Sequence, residues 1–314
     1  MGPGPSDVAR HTWDVIGRYA PSPTGTLHLG NLRTALLAWL FARSAGSRFH
    51  MRVDDLDAGR VRPGVAEQQL EDLAAIGLDW DPPVVTQSDR LAAYAEAIAA
   101  PDRDGALYPC YCTRREIREA ASAPHGPLPE GAYPGTCREL TATERFDRER
   151  AGRAPALRLR AGGERAGYVD RLLGPIEAAV DDVVVRRNDG APAYNLAVVV
   201  DDAAQGIEEV VRGADLAETT PRQIVLARRL GLSVPAYAHV PLVLGPDGAR
   251  LAKRHGAVTL ADRLARGETA ESVRGELAAS AGLAEAGQTP GMDELVAAFD
   301  PALIPTEPTV LVAS

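Results

Sequence analysis

Residues 15–31 read Val15-Ile-Gly-Arg-Tyr-Ala-Pro-Ser-Pro-Thr-Gly-Thr-Leu-His-Leu-Gly-Asn31. The apolar residues 15–19 predict a short buried strand, and the two prolines and the glycine of residues 21–25 predict a tight turn. Leucines then recur at helical spacing, which predicts a helix over residues 29–45 that ends at Gly46. This stretch therefore predicts a strand, a turn and a helix in immediate succession.

The same alternation of strands and helices continues along most of the chain. Further strands are predicted at residues 48–53, 183–186, 196–200 and 241–244, and further helices at residues 65–76, 88–100 and 220–230. This order is typical of α/β proteins, so we predict a Rossmann-like doubly wound parallel sheet. Residues 108 to about 165 break the pattern with cysteines, prolines and a polar stretch, which we interpret as an insertion.

Composition restricts the classes of function. The chain has 314 residues and a formal net charge of -9 at pH 7, which argues against a protein that coats nucleic acid without specificity. A specific RNA partner stays possible, because arginines can cluster locally. No apolar run approaches the roughly 20 residues that span a bilayer, and residues 1–14 contain no apolar signal segment. We expect a cytoplasmic protein without membrane contact.

Lys253 is the only lysine among the 34 lysine and arginine residues. It lies in the polar loop Arg250-Leu-Ala-Lys-Arg-His-Gly-Ala257, after an apolar segment. A lysine ammonium is a compact charge on a flexible stem, whereas a guanidinium is a planar fork. A lysine retained here, in a chain that otherwise uses arginine, indicates contact with a phosphate group. Chance survival of a surface lysine is the alternative.

A second candidate site lies where the first predicted helix begins. The free backbone N–H groups and the dipole of a helix N-terminus favour bound anions. His28 can donate a hydrogen bond to a phosphoryl oxygen, and Gly30 lets a flat ring or a phosphate approach the backbone. The alternative is that His28 only caps the helix or lies at the surface.

The three cysteines, Cys110, Cys112 and Cys137, fall within 28 residues. Three cysteines in a cytosolic chain do not indicate a disulfide framework. Three thiolates and one phenolate oxygen can complete a tetrahedral zinc site. On the cysteines alone, a zinc site and inert thiols are about equally expected.

Several motifs together resemble the class I aminoacyl-tRNA synthetases, and among them the glutamyl branch. His28-Leu-Gly-Asn31 is similar to the "HIGH" signature of this class, and Arg250-Leu-Ala-Lys-Arg254 to its "KMSKS" loop. Segments 18–25, 52–57, 194–202 and 212–216 resemble the glutamyl branch. The resemblance runs from Arg18 to about His255 in the order of the family.

The chain departs from these motifs at four positions. Asn31 replaces the second histidine of the first signature, and Arg250 and Ala252 replace a lysine and a serine of the second. Ala252 therefore lacks a hydroxyl that could bind phosphate. Asp54 stands where the branch usually has glutamate, and its shorter side chain reaches a substrate ammonium only through water or a small backbone shift. We expect these changes to affect rate and affinity rather than the type of reaction.

The resemblance implies activation of L-glutamate by ATP, with Mg²⁺ accompanying the ATP. Attack of a carboxylate on the α-phosphate depends on positioning and charge neutralisation, and Lys253 and His28 are the implied catalytic residues. The implied ATP-binding residues are His28, Gly30, Asn31, Arg250 and Lys253. The implied L-glutamate-binding residues are Arg18, Tyr19, Ala20, Pro21, Ser22, Asp54, Tyr194 and Arg212.

Within this set, the implied roles follow from charge. Arg18 and Arg212 would pair with the carboxylates of glutamate, and Asp54 with its ammonium. Tyr194 and Ser22 would add neutral hydrogen bonds. The alternative for Arg212 is a structural ion pair with Asp215.

The resemblance also implies one structural zinc ion in the insertion, held by Cys110, Cys112, Tyr133 and Cys137. Tyr111 and His125 compete for the fourth position, and we prefer Tyr133 for its spacing to Cys137. The implied segments are a first catalytic half at 1–107, the zinc-bearing insertion with a connective, acceptor-like subdomain at 108–180, a second catalytic half at 181–257, and a helical stem-contact part with a tail at 258–314.

About sixty residues follow Lys253, which is short for an anticodon-binding domain. The chain thus resembles the shortened members of the branch, which transfer glutamate to queuosine in the anticodon loop of tRNA(Asp). The implied partner is this anticodon stem-loop, and we expect a monomer. The alternatives are a compact glutamyl-tRNA synthetase that charges tRNA(Glu) and a non-catalytic paralogue that binds glutamate or tRNA.

Overall fold

The computed structural model describes residues 15–121, 132–251, 255–256 and 258–311. Its strands are β1 (Gly17–Tyr19), β2 (Phe49–Val53), β3 (Asp81–Thr86), β4 (Leu107–Cys110), β5 (Ala156–Leu159), β6 (Arg165–Asp170), β7 (Gly174–Ala179), β8 (Val183–Arg186), β9 (Glu209–Gly213), β10 (Ala236–Val240), β11 (Val243–Leu244) and β12 (Thr309–Val310).

The helices alternate with these strands along the chain. They are α1 (Leu29–Ser44), α2 (Val65–Ala75), α3 (Leu91–Arg103), α4 (Arg114–Ala121), α5 (Ala142–Arg150), α6 (Tyr194–Ala204), α7 (Thr220–Leu230), α8 (Leu260–Ala265), α9 (Ala270–Ser280) and α10 (Met292–Ala298), with 3₁₀ turns at Gln87–Arg90, Ala214–Thr219 and Pro301–Leu303. Within the described ranges, every helix is too short or too polar to cross a lipid bilayer.

Parallel strands form the centre of the fold, which confirms the predicted α/β class. β1 pairs with β2 and β2 with β3, all parallel, and β9 pairs in parallel with β10. The two groups meet at Ile16, whose carbonyl accepts a hydrogen bond from the N–H of Glu208 at 2.9 Å. The chain therefore winds outward in one direction from β1 and in the other from β9, as in a doubly wound sheet.

The two faces of this sheet bury separate hydrophobic cores. Successive residues of a strand point to opposite faces. Val211 and Ala238 belong to the core under α1, whereas their neighbours Val210 and Tyr237 belong to the core with α6 and α7. Helices α9 and α10 pack against α1, so the C-terminal helices cover the same face as the first helix.

A small antiparallel sheet and a hairpin accompany the parallel strands. β4, β5 and β8 form the small sheet in the order β4-β5-β8. The sequence pattern assigns residues 183–186 to the second α/β half, but β8 pairs with β5 and so extends the small sheet past residue 180. The hairpin β6–β7 joins the edge of the parallel sheet through one parallel bridge between Asp170 and Tyr237.

Two strand predictions are wrong, each for a physical reason. Residues 196–200 form the middle of helix α6 and are buried throughout. A helix that is covered on most sides shows the same continuous apolar run as a buried strand. Of the strand predicted at residues 241–244, only Val243–Leu244 is a strand, β11, and it pairs with β12. The strand of the parallel sheet is β10, which ends before Pro241 because proline has no N–H for the ladder.

Candidate active site

A cavity of about 200 Å³ opens at the carboxyl ends of β1 and β9. Ligands of doubly wound sheets bind where the winding direction changes, and this cavity lies at that point. Ten of the residues implied by the resemblance line it: Arg18, Tyr19, Ala20, His28, Gly30, Asn31, Asp54, Tyr194, Arg212 and Arg250. They come from five separate parts of the chain, which only the fold brings together.

His28 is the N-cap of α1 and also lines the cavity. Its Nδ1 accepts a hydrogen bond from the backbone N–H of Asn31, and the Asn31 side-chain oxygen accepts one from the N–H of His28, both at 3.2 Å. A neutral imidazole whose Nδ1 accepts must carry its proton on Nε2. Burial, and then the nearby charge of Arg250, lower the pKa of His28, so the neutral ring can donate from Nε2.

Gly30 leaves room for the His28 ring. A Cβ at this position would lie 3.0 Å from His28 Cε1 and 3.2 Å from Val243 Cβ, which is closer than side-chain atoms normally approach. A larger residue would displace the imidazole from its capping position. The glycine is therefore needed for the geometry of the cavity wall, in addition to any approach of a ligand.

Buried charges support the floor of the cavity, and sequence analysis assigned no role to several of them. Asp202 accepts hydrogen bonds from Arg18 Nε at 3.2 Å and from Arg52 Nη1 at 2.6 Å, and Asp54 accepts one from Arg52 Nε at 2.7 Å. Behind them, Asp201 accepts from Arg90 Nε at 2.6 Å. Three arginines and three aspartates thus form one buried ion cluster: Arg18, Arg52, Arg90, Asp54, Asp201 and Asp202.

Two carboxylates of the ion cluster, Asp54 and Asp202, have different electrostatic environments. Burial alone would raise the pKa of Asp202, but Arg18 and Arg52 lower it below the usual value. Burial raises the pKa of Asp54 by more than Arg52 lowers it, and the charge of Asp202 adds to the increase. A ligand ammonium beside Asp54 would add a second cation and stabilise its carboxylate form.

Arg212 at the end of β9 also lines the cavity, and its hydrogen bonds within the described part of the chain go to residues other than Asp215. Its Nε donates to His239 Nε2 at 3.1 Å and its Nη2 to Thr220 Oγ1 at 2.8 Å. Its buried Nη1 has no hydrogen-bond partner among the described residues. Asp215 instead forms a salt bridge with Arg250 at 3.0 Å. The free donor of Arg212 suits a ligand carboxylate.

Two residues of the implied glutamate set lie outside this cavity. The Pro21 carbonyl accepts a hydrogen bond from the N–H of Asp54 at 2.9 Å, so Pro21 fixes the backbone of Asp54. Ser22 is exposed and lines a second, larger cavity of about 1190 Å³. This larger cavity shares Asp54 and Tyr194 with the smaller one. Tyr194, 47% exposed, thus stands between the two.

The lysine loop is described only at its ends. Lys253, Ala252 and Arg254 lie outside the described residues, as does His125 of the insertion. On the near side of the loop, Arg250 and the buried Leu251 line the smaller cavity. On the far side, His255 Nε2 lies 3.0 Å from Asp247 Oδ2.

The three cysteines form a cluster beside the larger cavity. Their sulfur atoms all lie within 4.8 Å of one another, and Cys112 Sγ is 3.4 Å from Cys137 Sγ. Ligand sulfurs of a tetrahedral zinc ion lie about 3.8 Å apart, as calculated from Zn–S bonds of about 2.3 Å. The donor set and its spacing therefore fit a zinc ion.

Tyr133, rather than Tyr111, contacts the thiols. The Tyr133 hydroxyl oxygen lies 3.5 Å from Cys110 Sγ and accepts from the backbone N–H of Cys137 at 2.7 Å. Tyr111 donates its hydroxyl proton to Glu149 at 2.6 Å. The Arg158 guanidinium stacks 3.8 Å from the centre of the Tyr133 ring, where it can offset the negative charge of the ligands.

Comparison with known proteins places this geometry in a family. Residues 14–290 match the catalytic domain of the "tRNA synthetases class I (E and Q)". The glutamyl-Q tRNA(Asp) synthetase of Nocardia farcinica is 60% identical over 306 residues, which cover 98% of this chain and 96% of that protein. The enzyme of that name from Symbiobacterium thermophilum is 52% identical over 306 residues, covering 94% and 95%.

Solved structures agree with these relatives. The glutamate tRNA ligase of Elizabethkingia meningosepticum, in complex with its amino acid, has a TM-score of 0.80 at 25% identity and covers 95% of this chain and 67% of that chain. The glutamate-tRNA synthetase of Elizabethkingia anophelis has a TM-score of 0.82 at 26% identity, covering 95% and 68%. The chain belongs to the class I tRNA synthetases for glutamate and glutamine and, within them, to the glutamyl-Q tRNA(Asp) synthetase family.

Proposed function

We propose that this protein activates L-glutamate with ATP and transfers it to queuosine in the anticodon loop of tRNA(Asp). One observation carries the glutamate part: a single cavity of amino-acid size is lined by Arg18, Arg212 and Asp54. Two cations and one carboxylate complement a dicarboxylic amino acid with one ammonium. The names of the relatives support the acceptor.

The first step needs electrostatics more than proton transfer. A carboxylate oxygen of glutamate attacks the α-phosphorus of ATP, the bond to the pyrophosphate oxygen breaks, and pyrophosphate leaves. In our proposal His28 donates from Nε2 to a phosphoryl oxygen, Gly30 and Asn31 shape the helix end, and Arg250 and Lys253 offset phosphate charge. Mg²⁺ bound to ATP would supply further charge neutralisation there.

The second step needs room for a nucleoside. A hydroxyl oxygen of the queuosine ring attacks the carbonyl carbon of the adenylate and loses its proton to water. The anhydride C–O bond breaks, and AMP leaves with that bond's electrons on its phosphate oxygen. The larger cavity supports this step, because it meets the smaller one at Asp54 and Tyr194. Five arginines on its walls suit a phosphate backbone: Arg60, Arg114, Arg153, Arg158 and Arg187.

We further propose that the protein works as a cytoplasmic monomer with one structural zinc ion. Cys110, Cys112, Cys137 and Tyr133 would fill four tetrahedral positions, which leaves none for a substrate. The zinc ion would crosslink the segment after β4 to the turn that contains Cys137. Cys110 and Cys112 line the larger cavity, so the metal would hold one wall of the proposed RNA site.

Two assays on the full chain test the proposed function. Glutamate-dependent exchange between ATP and pyrophosphate tests activation, and absence of exchange by folded protein would refute an enzymatic role. Transfer of labelled glutamate is then compared among tRNA(Asp) with queuosine, the same tRNA without it, and tRNA(Glu). Transfer to the first alone supports our proposal, whereas charging of tRNA(Glu) would identify a compact glutamyl-tRNA synthetase.

Lys253→Arg should reduce the rate of pyrophosphate exchange by roughly 10-fold to 100-fold, less than the roughly 100-fold to 1000-fold for complete loss of one charge-stabilising group, because arginine keeps the charge. The guanidinium keeps the charge but cannot follow the phosphates as a compact ammonium does. The rate is measured at saturating glutamate, with the melting temperature as a check of folding. The reverse substitution at an exposed ion pair, Arg165→Lys, should change neither the exchange rate nor the melting temperature. A normal rate in Lys253→Arg would contradict a special role for this lysine.

Cys137→Ser should reduce the zinc content from about one ion per chain to near zero after dialysis against a chelator, because a three-ligand site holds zinc weakly. Elemental analysis measures the metal. Tyr133→Phe should also weaken retention of zinc, whereas Tyr111→Phe serves as the matched control and should keep it. Native protein without zinc, or equal loss in both tyrosine variants, would refute the ligand set.

A further inference from the structure

A line of three buried polar side chains runs from the edge of the parallel sheet to the smaller cavity. Asp170 at the end of β6 contacts His239 of β10, with Asp170 Oδ2 at 2.6 Å from His239 Nδ1. His239 in turn contacts Arg212 of β9, with Nε2 at 3.1 Å from Arg212 Nε. All three are buried, and His239 is completely so. Neither the motifs nor the charge pattern of the sequence indicated Asp170 or His239.

The chemistry of the side chains fixes the donor and the acceptor in each of these hydrogen bonds. An arginine N–H can only donate, so His239 Nε2 must be the acceptor and its proton must be on Nδ1. The Nδ1–H then donates to the Asp170 carboxylate. Burial lowers the pKa of His239, which agrees with a neutral ring, and a protonated ring would turn an N–H toward the N–H of Arg212.

The backbone holds both ends of the line in place. His239 and Arg212 are direct partners in the parallel register of β9 and β10. Asp170 also accepts hydrogen bonds from the backbone N–H groups of Leu172, Leu173 and His239 at 2.9–3.2 Å. The carboxylate therefore cannot turn away from the imidazole without losing several bonds.

Two further contacts restrict the Arg212 guanidinium. Its Nη2 donates to Thr220 Oγ1, and its carbon centre lies 5.3 Å from the centre of the Tyr237 ring. With Nε and Nη2 occupied, Nη1 is the buried donor without a partner among the described residues. A guanidinium fixed in this way has a single orientation beside the cavity, so it loses little freedom when it binds an anion.

We propose that Asp170 and His239 are positioning residues, which orient Arg212 so that its free Nη1 meets a carboxylate of the substrate. The inference rests on the proposed function only in taking glutamate as that substrate. The pair touches no reacting atom, so it acts on the binding of glutamate and leaves the binding of ATP unchanged. If the pair served packing alone, its substitution would not change the KM for glutamate selectively over the KM for ATP.

The kinetic test compares His239→Leu with His239→Gln in pyrophosphate exchange. A glutamine oxygen can replace Nε2 as the acceptor for Arg212, whereas leucine has a similar size and no acceptor. We expect leucine to raise the KM for glutamate roughly 10-fold to 100-fold, as for a buried donor that loses its acceptor, with the KM for ATP nearly unchanged. Glutamine should restore most of the affinity.

Equal KM values in the leucine variant and the wild type would overturn the inference. So would parallel increases for glutamate and ATP, or a glutamine variant no better than the leucine variant. These outcomes need an active wild type, so a failure of the proposed function is recognised separately by the absence of exchange in the wild type.

A second measurement tests the inference and depends neither on catalytic activity nor on the folding of the leucine variant. The ¹⁵N chemical shifts of the imidazole nitrogens report the tautomer of His239, and its signals are assigned by their loss in His239→Gln. A neutral ring protonated on Nδ1 at neutral pH is the expected result. A ring protonated on Nε2, or on both nitrogens, cannot accept from Arg212 and would overturn the inference.

Discussion

Arg212→Met should lower kcat/KM for glutamate in pyrophosphate exchange by about two to three orders of magnitude, the usual cost of removing one partner of a buried, hydrogen-bonded charge pair. Methionine keeps much of the volume and the apolar contact with Tyr237 but offers no donor. A carboxylate of glutamate would then enter the cavity with one cation instead of two. The KM for ATP should stay close to that of the wild type.

The matched control is Arg229→Met on α7. Arg229 forms a half-exposed salt bridge with Glu164 at 2.7 Å and does not line the smaller cavity. This variant should retain wild-type kinetics, because half-exposed ion pairs contribute little. If Arg212→Met kept wild-type affinity for glutamate, or lost affinity for ATP to the same degree, Arg212 would not bind the amino acid.

Two of the cavity residues, Arg18 and His28, lie on elements that local sequence predicts, and the resemblance to the synthetases implied the others. The strand, turn and helix of residues 15–45 need only short-range signals, namely the apolar run, the two prolines and the leucine spacing. Arg18 and His28 are therefore placed by neighbouring residues. The structure adds that His28 caps α1 and lines the cavity, so the two interpretations of this histidine are compatible.

The partners of these residues could not be predicted, because long stretches of chain separate them. Asp202 is 184 residues from Arg18, and Asp170 is 69 residues from His239. An arginine in the middle of the apolar strand β2 was the one available signal, since a charge on a buried strand requires a partner. Which aspartate serves Arg52 follows only from the packing of α6 beside β1 and β2.

Helix α6 shows why that packing was missed. The apolar run of residues 196–200 predicts a strand, and a strand would place Asp201 and Asp202 on opposite faces. In a helix that is buried on most sides, both aspartates point into the protein and reach different arginines. The error in one secondary structure element therefore concealed the ion cluster that supports the cavity.

Asp202→Asn should lower the free energy of unfolding by about 3 kcal/mol or more, because it leaves the buried cluster with three arginines and two aspartates. The amide keeps the shape, but its NH₂ group cannot accept from Arg18 or Arg52, and buried guanidinium groups do not lose their protons. Urea unfolding with linear extrapolation measures the change. The KM for glutamate should also rise, since Arg18 loses the carboxylate that orients it.

The same substitution at an exposed pair provides the comparison. Asp189 forms a salt bridge with Arg187 at 2.5 Å near the surface, and Asp189→Asn should change the unfolding free energy little. The contrast between the two variants isolates burial, because side-chain type and replacement are identical. Equal stabilities of both variants and the wild type would mean that water or nearby acceptors compensate for the lost carboxylate, and the ion cluster would then not be the structural support of Arg18.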